Sequence, residues 1–310
     1  MRMHRWMVAL AAVATVAACG EGRVEFLSLG TAGTGGIYYP LGGAIASRLS
    51  VADAARQYTA EVSGGSVENI NRLGSGQMDL AMVLAMSAHQ AYHGEGDFTQ
   101  PVAGLRSVAP LYPNLTHILV PGRSSAQSVA DLGGQRVSVG PPGSGTEVLS
   151  RHVLEAYGLT YDDVAPQYLS FSESAAALAD GAIDAAIISV GYPAAAVLEA
   201  STVSNVRLLD MDRATLDRML EEHPYYSIGR IPAGAYPGQP NELLSLAVLN
   251  WIVAMESLDP EVVEILLNIM QDDRVSLEQV HDMARQIDLS NLESPPIPLH
   301  PAAQQWLSAR

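Results

Sequence analysis

Residues 24–29 alternate apolar and polar before a glycine-rich stretch, and residues 41–49 then carry apolar positions at helical spacing. That change of period predicts a strand, a turn and a helix. The unit recurs. Residues 58–62 read as a strand, 66–75 as a helix with Ser66 as its N-cap, and the apolar run 80–84 as a buried strand. Residues 136–139 are strand-like, 140–146 form a second glycine-rich turn, and 148–157 have a helical period. Alternation of this kind implies an α/β sheet.

The second run of units echoes the first. Gly76, Asp79, Ala81 and Val83 fall on the same G-x-(M/I)-D-x-A-x-(V/I) pattern as Gly181, Asp184, Ala186 and Ile188, at nearly the offset that separates the two glycine-rich turns. Two lobes of like topology account for this; a coincidence of glycines ahead of buried strands is the alternative. A long apolar run, 243–255, precedes Asp259-Pro260-Glu261, which starts a helix with a cap residue, Pro at N1 and an early acid. That C-terminal part is expected to return to the first lobe. Crossings between lobes are expected near Pro121-Gly122 and in the Gly-, Pro- and Tyr-rich stretch 225–240. The division is then residues 23–121 with 228–310 as lobe 1, and 122–227 as lobe 2. A cleft between them would close about a hinge.

Residues 1–18 place Arg2 and Arg5 before an apolar run that ends in small residues, the pattern of an export signal. The run is shorter than the ~20 residues that a membrane-spanning helix takes. Cys19 is the single cysteine, so no intramolecular disulfide is available. Val16-Ala17-Ala18-Cys19 has the form of a lipobox, which makes Cys19 a lipidation site and the product a periplasmic, membrane-anchored lipoprotein. Ordinary signal cleavage at the same small residues is the alternative, and either route exports the chain. With 48% hydrophobic and 16% charged residues, the 310-residue chain can bury a large core. Its formal charge is −16 and every cationic side chain is Arg. Nucleic acid is a poor partner for that surface, and lysine-dependent chemistry is excluded.

The chemistry concentrates in the glycine-rich turns. GPPGSGTE at 140–147 approaches a phosphate loop, but Thr146 stands where its lysine would be. GTAGTGGIYYP at 30–40 fails the dinucleotide fingerprint, because Tyr38 occupies the third glycine position. What remains is a pair of anion-binding nests at helix starts, where unpaired N–H groups and a partial positive charge face outward. Thr31, Thr34, Gly35 and Gly36 are the donors of the first, and Ser144, Gly145 and Thr146 those of the second. The alternatives are tight turns without a ligand and, for Ser144 and Glu147, a reciprocal capping box. Ser66 in a third small-residue turn, Tyr38, and the loop with Ser189 and Gly191 are further cleft candidates. Charge-assisted hydrogen bonds net about 1.5–3 kcal/mol each, so four or five approach the ~8 kcal/mol of a micromolar complex before ordering costs. No catalytic residue is assigned: His152, the nearest histidine, lies eight residues beyond Ser144. His89 and His93, at i and i+4, have no third ligand close in sequence, so no metal or cofactor is expected.

At these residues the chain resembles the TAXI family, the solute-binding subunits of tripartite ATP-independent periplasmic (TRAP) transporters. GTAGTGGIYYPLGGAIA, SGGSVENINRLGSGQMDLAMV, SVADLGGQRVSVGPPGSGTE, GAIDAAIISVGYP and IPAGAYPGQ carry the resemblance, which runs from Leu27 to at least Val253. It implies a two-lobed type II periplasmic-binding-protein fold with two crossovers. It further implies a small carboxylate ligand such as glutamate or 2-oxoglutarate, delivery to a membrane permease, and a monomeric receptor rather than an enzyme. By motif match it gives binding roles to Thr34, Gly35, Gly36, Tyr38, Ser66, Ser144, Gly145 and Thr146, with Ser189 and Gly191 behind them. Two features depart from the family pattern: the lipobox itself, and Ala85-Met86 where a more polar pair is expected. A sensory lipoprotein and a cleft hydrolase on the same fold are the competing functions.

Overall fold

The computed structural model describes residues 24–310, so the export segment and Cys19 lie outside the described residues. The first half runs β1 (Glu25–Gly30), α1 (Tyr38–Ala52), β2 (Arg56–Glu61), α2 (Ser66–Gly74), β3 (Leu80–Leu84), α3 (Ala85–His93) and β4 (Leu105–Pro121). Next come β5 (Arg136–Ser138), α4 (Gly145–Ala156), β6 (Ala165–Gln167), α5 (Phe171–Ala179), β7 (Ala185–Val190), α6 (Ala195–Val203), β8 (Val206–Leu208) and α7 (Arg213–Glu222). The chain ends with β9 (Tyr226–Ile231), β10 (Leu243–Met255), α8 (Pro260–Asp272), α9 (Arg274–Glu278) and α10 (Pro301–Ser308).

These strands form one sheet in the order β2-β1-β3-β10-β4-β7-β5-β6, with β8 on β4 and β9 on β10. The order reads alike from both ends. β1 pairs in parallel with β2 and β3, as β5 does with β6 and β7; β3 then meets β10 antiparallel and β7 meets β4 antiparallel. The sequence repeat sits at equivalent points of this pattern. Asp79 accepts the Ser28 N–H at 2.8 Å and Asp184 accepts the Arg136 N–H at 2.9 Å, so each carboxylate pins the start of its strand to the neighbour. Gly76 and Gly181 both hold φ +69°, the left-handed turn that delivers the chain to that point. This is the mixed α/β, two-lobed fold that the alternation of elements predicts.

The crossings differ from expectation. β4 changes partner along its own length: residues 105–110 lie against the end of β10 that pairs β3, and 115–119 against β7. β10 does the same, from β9 to β3. The halves are therefore joined inside two central strands. Pro121 instead pairs Val206, and the stretch 225–240 begins with strand β9. Pro110 and Pro113 lack the N–H that a ladder needs, and they sit at a register shift opposite Trp251 and Leu249. Asn250 occupies that irregularity and donates to the Tyr112 carbonyl at 2.6 Å, replacing a ladder bond.

β3 and β7 are buried at every position, as strands covered on both faces must be. The C-terminal part packs on the first half. Asp259 caps α8 by accepting the Glu261 N–H, Pro260 holds N1, and α8 packs its apolar face on α1 and α10. Arg56, only 7% exposed, ties this end down by pairing with Asp53, Glu25, Glu261 and Asp259. Within α2 one expectation fails: the cap is Gly65, at φ +125°, while Ser66 is the first helical residue. Its hydroxyl is committed elsewhere, accepting the Leu84 N–H at 3.0 Å and fastening α2 to the end of β3.

Candidate functional site

Four helices begin at one cavity. It has a volume of about 240 Å³, and it is bounded by the starts of α1, α2, α4 and α5 and floored by β3, β4 and β7. Each start leaves donors unspent, because the first helical amides have no carbonyl four residues back. At α4, Ser144 accepts the Glu147 N–H at 3.0 Å, which leaves the amides of Gly145 and Thr146 free. Glu147 does not complete a capping box: its carboxylate pairs with Arg151 at 2.7 Å instead. At α5, Ser170 and Glu173 do form one, and the amides of Phe171 and Ser172 remain. The turn before α1 gives the amides of Gly33, Thr34 and Gly35, which donate to no acceptor among the described residues.

The two glycine-rich turns expected to converge do so. Thr34, Gly35, Gly36, Tyr38, Ser66, Ser144, Gly145, Thr146 and Ser189 all line the cavity. Thr31 and Gly191 do not. Thr31 is fully buried and spends its hydroxyl on the Glu61 carbonyl at 2.6 Å. Gly191 is a packing position, where a Cβ would stand 2.8 Å from both Ile37 and Met283.

The halves touch on both sides of the cavity. On one side Glu68 donates its N–H to the Gly143 carbonyl at 3.0 Å; on the other, Ala196 donates to the Gly35 carbonyl at 3.3 Å. Glycine makes this approach sterically feasible. A Cβ on Gly145 would lie 2.7 Å from Leu84 and Ser66, and one on Gly35 would lie 2.5 Å from the Ser172 hydroxyl. The nest glycines thus serve the seam between halves as well as the cavity.

A buried polar chain runs beneath the floor and across the joining strands. Tyr38 donates to Asn250, Asn250 to Asn114 at 2.8 Å, and Asn114 to the Ser189 carbonyl at 2.9 Å. Burial pushes the Tyr38 phenol far above its ordinary value against the lowering influence of the Ser66 hydroxyl, and burial with the neighbouring Tyr38 does the same to Tyr112. Both phenols are therefore protonated donors. No Asp, Glu, Arg or His side chain is among the residues lining the cavity. Electrostatic character comes from helix dipoles and hydroxyls, which suit an anion without a counter-ion. Ser144 has no base beside it: the His152 ring is engaged with the Tyr226 hydroxyl at 2.8 Å.

Several lining residues escape sequence reasoning. The α5 start carries a visible signal, since Ser170 and Glu173 stand at capping-box spacing. Tyr112 and Asn114 carry none, because only the strand crossing brings them under the cavity.

A family model described as the NMT1-like family matches residues 29–308. Among solved structures, the chain is similar to PhnD1 from Prochlorococcus marinus in complex with methylphosphonate. The TM-score is 0.57 at 13% identity, covering 92% of this chain and 96% of that one. It is similar to a binding-protein component of an ABC phosphonate transporter from Pseudomonas aeruginosa, with TM-score 0.55 and 12% identity over 86% of this chain and 80% of that one. The alkanesulfonate-binding protein SsuA from Xanthomonas axonopodis pv. citri, bound to MOPS, gives TM-score 0.50 at 19% identity, with coverage of 92% and 84%. These likenesses establish the fold.

Proposed function

The chain belongs to the NMT1-like family, and from that premise we propose that it is an extracytoplasmic solute-binding receptor that closes on a small carboxylate and hands it to a membrane permease. One observation carries the reading: four helix starts from both halves of the sheet surround one cavity whose lining includes no charged side chain. A carboxylate is held there by main-chain amides, with β4 and β10 as the connection about which the halves open. The lobe boundaries of this reading fall inside those strands. Cys19 is the lipid anchor in the periplasm, the receptor acts as a monomer, and no chemistry is done on the ligand.

We assign the permease to the TRAP type from the resemblance of the sequence blocks to the TAXI family. A second reading comes from two of the similar solved structures, a component of an ABC phosphonate transporter and an alkanesulfonate-binding protein. A monoanionic sulfonate suits a cavity without cationic side chains better than a phosphonate approaching two charges. Calorimetric titration with glutamate, 2-oxoglutarate, C4 acids, methylphosphonate and an alkanesulfonate separates these. Binding of a carboxylate supports the proposal, binding of the sulfonate alone replaces the ligand class, and binding of none overturns the receptor. The neighbouring genes distinguish a TRAP permease from an ABC ATPase.

A further inference from the structure

Two hydroxyls of residues that line the cavity have no partner. Tyr112 Oη and Ser189 Oγ are buried, their residues 0% and 3% exposed, and neither makes a hydrogen bond among the described residues. Both residues line the cavity. Their surroundings are otherwise satisfied. Asn250 holds the Tyr112 carbonyl, and Asn114 holds the Ser189 carbonyl. The backbone under both hydroxyls is therefore fixed, and neither atom is open to the cavity in this structure, so an occupant that satisfies them must first draw them out of the wall.

The rest of the lining limits that occupant. Helix starts supply partial positive charge for one anionic group. No carboxylate lines the cavity to neutralise an ammonium, and no cation lines it to neutralise a second acid. Burying either unpaired charge is costly. Ile37, Leu84, Phe171 and Val190 give the remaining wall an apolar face.

Resting on the receptor reading above, we propose that the ligand is a small monocarboxylate with an oxygen at C2, a 2-oxo or 2-hydroxy acid with an apolar tail and no amino group, and that Tyr112 and Ser189 recognise the C2 oxygen. The carboxylate lies at the helix starts. The Tyr112 phenol, kept protonated by burial, donates to the oxygen at C2, and Ser189 completes its hydrogen bonding. Glutamate and 2-oxoglutarate, the acids implied by the family resemblance, are disfavoured on this account. The first carries an ammonium group, and both carry a second carboxylate.

Isothermal titration of the exported protein with four probes tests this: 4-methyl-2-oxopentanoate, 4-methylpentanoate, leucine and 2-oxoglutarate. The 2-oxo acid is expected to bind at least about tenfold more tightly than 4-methylpentanoate, which differs from it by the C2 oxygen. It is expected to outbind leucine and 2-oxoglutarate by more. In Tyr112→Phe the preference for the 2-oxo acid over 4-methylpentanoate should vanish, with 4-methylpentanoate unaffected. The variant removes an unpaired buried hydroxyl, so the ligand-free protein should melt no lower than wild type. Ser189→Ala should cut the same preference and stands in if Tyr112→Phe does not fold. Equal binding of the two acids, equal weakening of both by Tyr112→Phe, or tightest binding by leucine or 2-oxoglutarate overturns the inference alone. Binding of none of the four overturns the carboxylate-receptor reading with it.

Discussion

Gly145→Ala puts one methyl group into the seam between the two halves. Its Cβ would stand 2.7 Å from Leu84 Cδ1 and 2.7 Å from Ser66 Oγ, where non-bonded atoms rest near 3.5–4.0 Å. The seam must part by about 1 Å, and Ser66 cannot step aside while its hydroxyl accepts the Leu84 N–H. Overpacking of this size costs about 1–3 kcal/mol. Because the contact joins the two halves, the cost falls on the closed form alone and is read as lost affinity, about 5- to 150-fold. Titration with 4-methyl-2-oxopentanoate measures it, and the melting temperature of the ligand-free variant should equal that of wild type. Gly43→Ala is the control. It lies inside α1 with nothing within 4 Å of its Cβ, so it should leave affinity unchanged and add about 0.5–1 kcal/mol of stability. Unchanged affinity in Gly145→Ala would refute the seam argument, as would a loss of affinity matched by a loss of ligand-free stability.

Two further predictions concern the scaffold. Arg56→Met should destabilise by about 3–5 kcal/mol in urea denaturation, because it strands the buried Asp53 carboxylate beside Tyr58; a loss below about 1 kcal/mol contradicts this. Stability should also fall as pH drops from about 6.5 to about 4. Burial lowers the fully buried His117 to about 4 against hydrogen bonds that would raise it, so across that window the unfolded chain takes a proton that the folded one refuses. The loss from this residue is at most about 3 kcal/mol and is complete once pH passes below the folded value. His117→Gln should flatten the dependence, and an unchanged slope would assign it to other groups.

Much of the fold is legible in the sequence because its signals are local. The apolar run 80–84, the Asp259-Pro260-Glu261 start and the two glycine-rich turns each announce themselves within ten residues, and all four appear at those places. The paired glycine and aspartate positions announce the duplication. Non-local features are hidden. The 17-residue β4 contains Pro110 and Pro113, which only pairing with the irregular stretch of β10 makes tolerable there. Ser66 reads as a cap because its type and position allow it; that its hydroxyl serves Leu84 depends on β3. Tyr112 carries no motif at all. The glycines read as donors of the two nests, but that the opposite half of the protein approaches Gly145 and Gly35 depends on the folded arrangement.

Main-chain amides from both halves are expected to hold one anionic group, and a crystal structure of the protein with 4-methyl-2-oxopentanoate checks this. Its carboxylate oxygens should lie about 2.7–3.2 Å from amides among Gly33–Gly35 and from those of Gly145 and Thr146, within one closed cavity. An acid bound elsewhere, or held in this cavity only by side chains or by one half, would contradict it.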